Sequence, residues 1–192
     1  RWRPVGLGCM GLQDVFFRLR LPFDSPEAGR LSTRIAERIM LAAYGTSADL
    51  AERNGPLPAW EGTRTARGVL HPDHYGVGFT WPERWAALRT RIASTGMRNS
   101  LLLAIAPTAT IASIAGVYEC VEPQVSNLFK RETLSGEFLQ VNSYLVEDLK
   151  RLGVWDARTR EALREAGGSV QGFTWIPEDV RRLYRTAWEI PQ

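Results

Sequence analysis

The sequence is poor in the residues that form disulfides and bind metal ions. Of its 192 residues only two are cysteines, Cys9 and Cys120, and two are histidines, His71 and His74. The cysteines lie far apart without a CxxC pair, and the histidines have no other ligand candidates at metal-binding spacing. We therefore expect neither a disulfide nor a metal site in this chain.

Long apolar runs are also missing. No stretch approaches the roughly 20 apolar residues that span a bilayer, and the N-terminus lacks the charged and then apolar pattern of a signal peptide. We therefore expect no membrane association and a cytoplasmic location. Because the first residue is arginine rather than methionine, we also expect the chain to begin inside a longer protein.

Lysine is scarce, with Lys130 and Lys150 as its only representatives. The formal net charge of +3 rests on arginines that alternate with acidic residues, for example over 158–164 and 178–185. Such interleaving is typical of a solvated helix face rather than of a nucleic-acid-binding surface. The charge pattern therefore argues against direct nucleic-acid binding.

What the sequence does contain is apolar spacing typical of helices. A hydrophobic content of 44% with 10% aromatic residues supports a folded domain with a core. The longest helix is predicted from a capping box at Asp24 and Glu27 to a stop at Asn54 and Gly55. Its predicted buried stripe consists of Leu31, Ile35, Ile39, Ala42, Thr46 and Leu50.

Other segments are predicted from caps, breakers and periodicity. A helix that begins near Pro82 and ends at Gly96 is expected to bury Trp85, Leu88 and Ile92. Residues 56–81 are predicted as a long packed loop, and residues 116–138 as irregular or extended. The remaining helices are predicted at about 12–19, 142–152, 156–166 and 177–188.

An apolar segment followed by small hydroxyl residues is the most informative local feature. Residues 101–106 are apolar on both alternating faces, which predicts a strand covered on both sides, and Pro107 ends it. Residues 108–110 would let backbone N–H groups and two hydroxyls approach an anion closely, especially if a helix begins there. The alternative is that small residues merely open a buried helix, because the spaced glycines and the lysine of a P-loop are absent.

Several further motifs occur in one order along the chain. They are Arg3-Pro4-Val5-Gly6-Leu7-Gly8, Met10-Gly11-Leu12, Trp85-x2-Leu88, Gly96-Met97-Arg98-Asn99, Glu119-Cys120-Val121-Glu122-Pro123, Ser126-Asn127-Leu128, Arg131-Glu132-Thr133-Leu134-Ser135-Gly136-Glu137-Phe138, Val141-Asn142 and Trp188-Glu189-Ile190-Pro191-Gln192. Over nearly its whole length the chain thereby resembles the large, catalytic alpha subunit of ribonucleotide reductases, and most closely that of class I.

This resemblance implies a fold. The chain would be a helix-rich α/β fragment of the family's ten-stranded α/β barrel, which surrounds a finger loop. Residues 1–192 would form an incomplete part of a single catalytic barrel domain, from its C-terminal half. Because a severed barrel leaves strand edges and apolar surface uncovered, we expect the isolated chain to be marginal or prone to aggregate.

The resemblance also implies a role for the hydroxyl-rich segment. Pro107, Thr108, Ala109, Thr110 and Ile111 align with the family's Pro-Thr-Ala-Ser-Thr type loop, which binds the phosphates of the ribonucleotide substrate. Ile111 departs from the hydroxyl residue found in many members. A contact at that position must therefore come from its backbone N–H.

No catalytic residue is predicted in this chain. The family's radical cysteine lies in an Asn-x-Cys-x-x-Glu motif that the sequence lacks, and the C-terminal tyrosine pair and cysteine tail have no match. Cys9 is expected to be an inert small group in a glycine-rich turn. Glu119 and Glu122 are expected to have surface or capping roles rather than to act as an acid/base pair.

The function implied by the resemblance is that of a ribonucleoside-diphosphate reductase fragment, which supplies the substrate-phosphate loop for making 2′-deoxyribonucleotides by thiyl-radical chemistry for DNA synthesis. Implied partners are the diphosphate substrate, a metal-containing small subunit that supplies the radical, thioredoxin or glutaredoxin, and a second copy of the full-length subunit. The segment itself would bind no cofactor, and nucleotide effectors such as ATP would bind largely N-terminal to it. Two alternatives stay open: a fragment of an adenosylcobalamin-dependent reductase, and a non-catalytic relic that binds nucleotide or a partner protein.

Overall fold

A computed structural model describes residues 1–133 and 136–191. The motif residues Leu134, Ser135 and Gln192 lie outside this part of the chain. The helices and strands are α1 (Leu12–Leu19), α2 (Pro26–Asn54), α3 (Pro82–Thr95), α4 (Ala109–Ala115), β1 (Leu128–Thr133), β2 (Gly136–Val141), α5 (Ser143–Arg151), α6 (Ala157–Glu165) and α7 (Glu178–Leu183).

The chain divides into two compact units. The first unit comprises Arg1–Cys9 and Arg30–Pro107, and the second comprises Met10–Gly29 and Thr108–Gln192. Each unit has its own core of buried apolar side chains. No helix in the described ranges is long and apolar enough to cross a membrane.

The core of the first unit forms around α3. As predicted, Trp85, Leu88 and Ile92 are buried on this helix, where the i, i+3, i+7 spacing places them on one face. They pack with other buried side chains, namely Tyr44, Ala48, Leu70, Met97 and Leu102. Gly96 then ends the helix with φ 72°.

Helix α2 buries a different face from the one predicted. The predicted stripe residues Ala42 and Thr46 are exposed, and the other four are only half-buried. The buried positions are instead Ala28, Glu37, Tyr44, Ser47, Ala48 and Ala51. The contacts of Glu37 explain why this face is the buried one. Its carboxylate accepts hydrogen bonds from the N–H groups of Thr80 (2.9 Å) and Trp81 (3.1 Å) and from the Trp85 indole (3.0 Å).

The N-terminal cap of α2 is also shifted by one residue from the prediction. Ser25 Oγ accepts a hydrogen bond from the Ala28 N–H at 3.1 Å, the geometry of a serine cap. Asp24, the predicted cap, instead forms an ion pair with Arg185 at 2.7 Å. The predicted helix end at Asn54 is confirmed.

The segment predicted as a buried strand forms only part of one. The N–H groups of Val5 and Leu7 donate to the carbonyls of Leu101 (3.0 Å) and Leu102 (2.8 Å), yet the pairing amounts to a single parallel bridge between Leu7 and Leu103. Leu102 is buried, whereas Leu101 and Ile105 are 62% and 74% exposed. The prediction that both faces are covered is therefore wrong for the described residues.

A glycine permits the close approach of these two segments. A Cβ atom added at Gly8 would lie 2.5 Å from the carbonyl oxygen of Ala104, which is too short for a contact between a carbon and an oxygen atom that are not bonded. The glycines of the N-terminal motif therefore allow its backbone to run beside residues 101–106.

The predicted loop at 56–81 is packed, but it is not without structure. It contains three short 3-10 helices, Trp60–Gly62, Thr65–Arg67 and His71–Tyr75. Leu57 and Leu70 are fully buried within it.

The second unit contains helices and a small hairpin. Strands β1 and β2 pair antiparallel, with a register that runs from Leu128↔Val141 to Thr133↔Gly136. Only β1 and the first part of β2 fall in the stretch 116–138, which is predicted as irregular or extended. Helices α5 and α6 follow with Asn142 and Asp156 as N-caps, as their predicted starts imply. Helix α7 ends at Leu183 rather than near Trp188.

A buried amide network holds this unit together. The side chains of Gln124, Asn127 and Asn142 are all buried and hydrogen-bond to one another. Asn127 Nδ2 also donates to the carbonyls of Gly168 (2.9 Å) and Tyr184 (2.8 Å). Because every one of these groups has a partner, the polar cluster stabilises the packing rather than weakening it.

Candidate functional site

The hydroxyl-rich segment begins a helix, as the sequence suggested. Residues 109–111 form the first turn of α4, and Thr108 is its N-cap. Pro107, the last residue of the first unit, is exposed, as are Ala109, Thr110 and Ile111, while Thr108 is half-buried. The first backbone N–H groups of a helix have no partner within the helix, so this turn presents donors.

Thr108 adopts an unusual backbone conformation. Its φ of 55° and ψ of 16° place it in the left-handed region, which a β-branched residue rarely occupies. Such a conformation costs about 1–3 kcal/mol and persists only where the surroundings impose it. The turn at Thr108 is therefore held by specific contacts.

The side chain of Thr108 makes the decisive contact. The backbone N–H of Cys120 donates to Thr108 Oγ1 at 2.8 Å, and Cys120 is itself buried with φ 50°. Because the hydroxyl oxygen accepts this bond, its own proton is left to donate to another acceptor. The Thr108 hydroxyl thus accepts one hydrogen bond and keeps a proton that it can donate to a bound group.

The segment that carries Cys120 is fixed from the start of α1. Gly11 N–H donates to the Tyr118 carbonyl at 2.9 Å, and Tyr118 N–H donates to Asp14 Oδ2 at 2.6 Å. Burial raises the pKa of the Tyr118 phenol far above its usual value, and the nearby Asp14 charge adds to this effect. Tyr118 is therefore neutral at physiological pH.

Asp14 and Gly11 are functional candidates that the sequence predictions missed. Gly11 belongs to the Met10-Gly11-Leu12 motif, whereas Asp14 belongs to none of the motifs. A signal was available, because Asp14 stands among buried positions of a short amphipathic helix, beside Gln13, Phe16 and Phe17. A buried carboxylate needs partners to be stable.

The turn contains no charged side chain in its first residues. An anion bound there would meet neutral donors, namely backbone N–H groups and the hydroxyls of Thr108 and Thr110. Such donors suit a phosphate group, which accepts several hydrogen bonds at once.

The two cysteines are free thiols, with Cys9 half-buried in the first unit and Cys120 buried in the second. Within the described ranges, no three or more His, Cys, Asp or Glu side chains are grouped so that they could hold a metal ion.

These features define a helix-rich α/β segment with an exposed, hydroxyl-bearing turn, and comparison identifies the family. The family described as "Ribonucleotide reductase, barrel domain" matches residues 1–192. The chain therefore belongs to the ribonucleotide reductase barrel-domain family.

Curated relatives match along the entire chain. It is 46% identical over 192 residues to the ribonucleoside-diphosphate reductase large subunit of Caenorhabditis elegans, covering 100% of this chain and 24% of that protein. It is 43% identical over 192 residues to the large subunits of Arabidopsis thaliana and Danio rerio, again covering 100% of this chain and 24% of each relative. The chain thus spans about a quarter of the length of these relatives.

A solved structure supports the fold. The Actinobacillus ureae class Id ribonucleotide reductase alpha subunit matches with a TM-score of 0.68 and 22% sequence identity, over 97% of this chain and 28% of that one. The prediction of a helix-rich barrel fragment is confirmed.

Proposed function

We propose that this chain is part of the catalytic large subunit of a ribonucleoside-diphosphate reductase, and that residues 107–111 bind the phosphates of the ribonucleotide substrate. Homologues named as large subunits of this enzyme match all of the chain. The geometry at Thr108 supports the site assignment, because its hydroxyl oxygen accepts the Cys120 N–H at the start of a helix, which leaves the hydroxyl proton for a phosphate oxygen.

The binding mode follows from the turn. Thr108 and Thr110 donate from their hydroxyls, and the N–H groups at the start of α4 donate from the backbone. Ile111 has no side-chain donor, so it contributes only its N–H. Pro107 has no N–H to donate and sets the direction in which the chain enters the turn.

The chemistry at the ribose belongs to other parts of the subunit. In the class I reading, a separate metal-containing small subunit generates the radical, thioredoxin or glutaredoxin supplies electrons, and the full-length large subunit is a homodimer in the cytoplasm. We propose that both units described above belong to one catalytic barrel domain. By itself this chain is expected to be inactive, because it contains neither the radical cysteine motif nor the reducing cysteine pair of the family.

The phosphate site is tested by Thr108→Val in the full-length subunit assayed with its small subunit. A hydrogen bond to a charged group contributes about 1.5–3 kcal/mol, so KM for the diphosphate substrate should rise about tenfold or more. Thr108→Ser retains the hydroxyl and should stay within about twofold of the wild type.

A matched control is Thr90→Val, which removes an exposed threonine hydroxyl of α3 that bonds only along its own helix, to the Ala86 carbonyl. Its KM should be unchanged. Unchanged KM and kcat in Thr108→Val would refute the site. Turnover with adenosylcobalamin in the absence of a small subunit would favour the cobalamin-dependent alternative.

A further inference from the structure

We propose that Asp14 is a positioning residue for the phosphate-binding turn, acting on Thr108 through the backbone of residues 118–120. The inference rests on the proposed function, since it assigns Asp14 to the same site. Asp14 lies in the first turn of α1 and is only 8% exposed.

The path from Asp14 to the turn is short and made of hydrogen bonds. Asp14 Oδ2 accepts the Tyr118 N–H at 2.6 Å, and the Gly11 N–H donates to the Tyr118 carbonyl at 2.9 Å. Tyr118 is thus held at both its N–H and its C=O. Two residues further on, Cys120 N–H donates to Thr108 Oγ1 at 2.8 Å.

The same hydrogen bonds explain why the Cys120 N–H lies where it can donate to Thr108 Oγ1. Cys120 has a left-handed backbone, φ 50°, which a residue other than glycine adopts at a cost. Fixing Tyr118 limits where Cys120 can lie, and this in turn fixes the Thr108 hydroxyl. Loss of the Asp14 contact should therefore loosen the turn without removing any group that touches the substrate.

Asp14 is suited to this role because its carboxylate is itself held. The Tyr144 hydroxyl donates to Asp14 Oδ1 at 3.1 Å, which leaves Oδ2 directed to Tyr118. Gly11 must approach closely as well, because its φ of 83° disfavours other residues and an added Cβ would lie 3.3 Å from Val117 Cβ.

A carboxylate accepts hydrogen bonds only, and a charged acceptor gives a stronger bond than a neutral amide. In Asp14→Asn the side chain keeps its size, but the bond to Tyr118 is weakened, and the amide can turn its NH2 group towards the Tyr118 N–H. This variant therefore tests whether the position of Tyr118 matters, because the packing around residue 14 stays nearly the same.

The experiment measures KM, kcat and the midpoint of thermal unfolding for Asp14→Asn in the full-length subunit with its small subunit. We expect KM for the diphosphate to rise about tenfold, because a small displacement of a binding group lowers affinity strongly. The kcat should change less than about threefold, as expected for a loss of uniform binding.

The matched control is Asp148→Asn. Asp148 is equally buried in the second unit, where it accepts hydrogen bonds from Arg20 and from the Tyr184 hydroxyl, both at 2.8 Å. It has no contact with residues 118–120 among the hydrogen bonds of the described chain. Its thermal midpoint should fall while its KM stays at the wild-type value.

A second variant, Tyr144→Phe, removes the hydrogen bond to Asp14 Oδ1 but keeps the bond that the Tyr118 N–H donates to Asp14 Oδ2. Because the carboxylate is then held less firmly, KM should rise, but less than in Asp14→Asn. The inference is overturned if Asp14→Asn leaves KM unchanged, or if Asp148→Asn raises KM as much at a similar loss of stability.

Thr108→Val, measured beside these variants, separates the two proposals. If it raises KM and Asp14→Asn does not, only the positioning role of Asp14 fails. If Thr108→Val also has no effect, the phosphate site itself is wrong.

Discussion

At the scale of single residues, two left-handed residues other than glycine shape the candidate site. Thr108 and Cys120 have φ values of 55° and 50°, and one hydrogen bond joins the backbone of the second to the side chain of the first. Glycine would adopt these backbone angles more easily, but it could not accept this bond. The threonine therefore gives the turn a hydroxyl whose oxygen is held in place by the Cys120 N–H.

Glu37 leads to a prediction about acid stability. Burial raises the pKa of this carboxyl, but hydrogen bonds from Thr80, Trp81 and Trp85 outweigh that effect, so the pKa is lowered from its ordinary value of 4.5. A depressed pKa adds stability that is present above about pH 4.5 and is lost as the pH falls through the folded-state pKa.

The midpoint of thermal unfolding should therefore fall below about pH 4.5 more steeply in the wild type than in Glu37→Gln, which should already be less stable at neutral pH. Glu83→Gln, at an exposed glutamate of α3, should keep the wild-type pH dependence. Parallel curves for wild type and Glu37→Gln would contradict the assignment.

At the scale of elements, helix caps decide where the chain turns. Asn142 accepts hydrogen bonds from the N–H groups of Tyr144 (3.0 Å) and Leu145 (3.4 Å) at the start of α5. Its Nδ2 donates to Gln124 Oε1 at 2.7 Å and to Asn127 Oδ1 at 3.0 Å. One side chain thereby joins the cap of α5 to the buried amide network.

Asn142→Ala should lower the free energy of unfolding by about 2–4 kcal/mol, because it removes a cap and leaves a buried acceptor unpaired. Asn142→Asp retains the cap but sets a buried carboxylate oxygen against the acceptor oxygens of Gln124 and Asn127, so it should be at least as destabilising as the alanine variant. Denaturant titration would measure both variants. Asp156→Ala removes an exposed cap from α6 and should have a smaller effect, and an equal loss in the two alanine variants would argue against the network.

The helices also show which structural features can be predicted from sequence patterns and which cannot. The starts of α3, α5 and α6 were predictable, since Pro82, Asn142 and Asp156 are local signals that act within one turn of helix. The buried face of α2 was not predictable from the sequence. Its apolar residues lie on more than one side of the helix, and the side that is buried carries a glutamate, Glu37. The burial of Glu37 is favourable because of donors far along the chain, the N–H groups of Thr80 and Trp81 and the Trp85 indole.

At the scale of the whole molecule, exposed apolar side chains occur in both units. Leu101 and Ile105 are exposed in the first unit, and Ile114, Leu139 and Trp188 in the second. Trp188 reaches 85% exposure. Exposed apolar surface of this kind marks contacts with other protein or a tendency to aggregate.

We therefore expect the 192-residue chain, produced by itself, to bind a hydrophobic dye such as ANS and to self-associate in size-exclusion chromatography. The full-length subunit, handled in parallel, should bind much less dye per mole. If the chain is monomeric and binds no dye, the expectation that these exposed side chains promote self-association is wrong.

The sequence by itself determined the family, most helix boundaries and the residues of the proposed phosphate turn. These depend on local order along the chain, such as Pro107 before small hydroxyl residues or Asn142 before an apolar helix. Only the tertiary structure decided which face of α2 is buried, how Cys120 orients Thr108, and that Asp14 holds the segment between them. Those contacts join residues that are up to about a hundred positions apart, as from Asp14 to Tyr118, and no spacing in the sequence records a hydrogen bond made across such a distance.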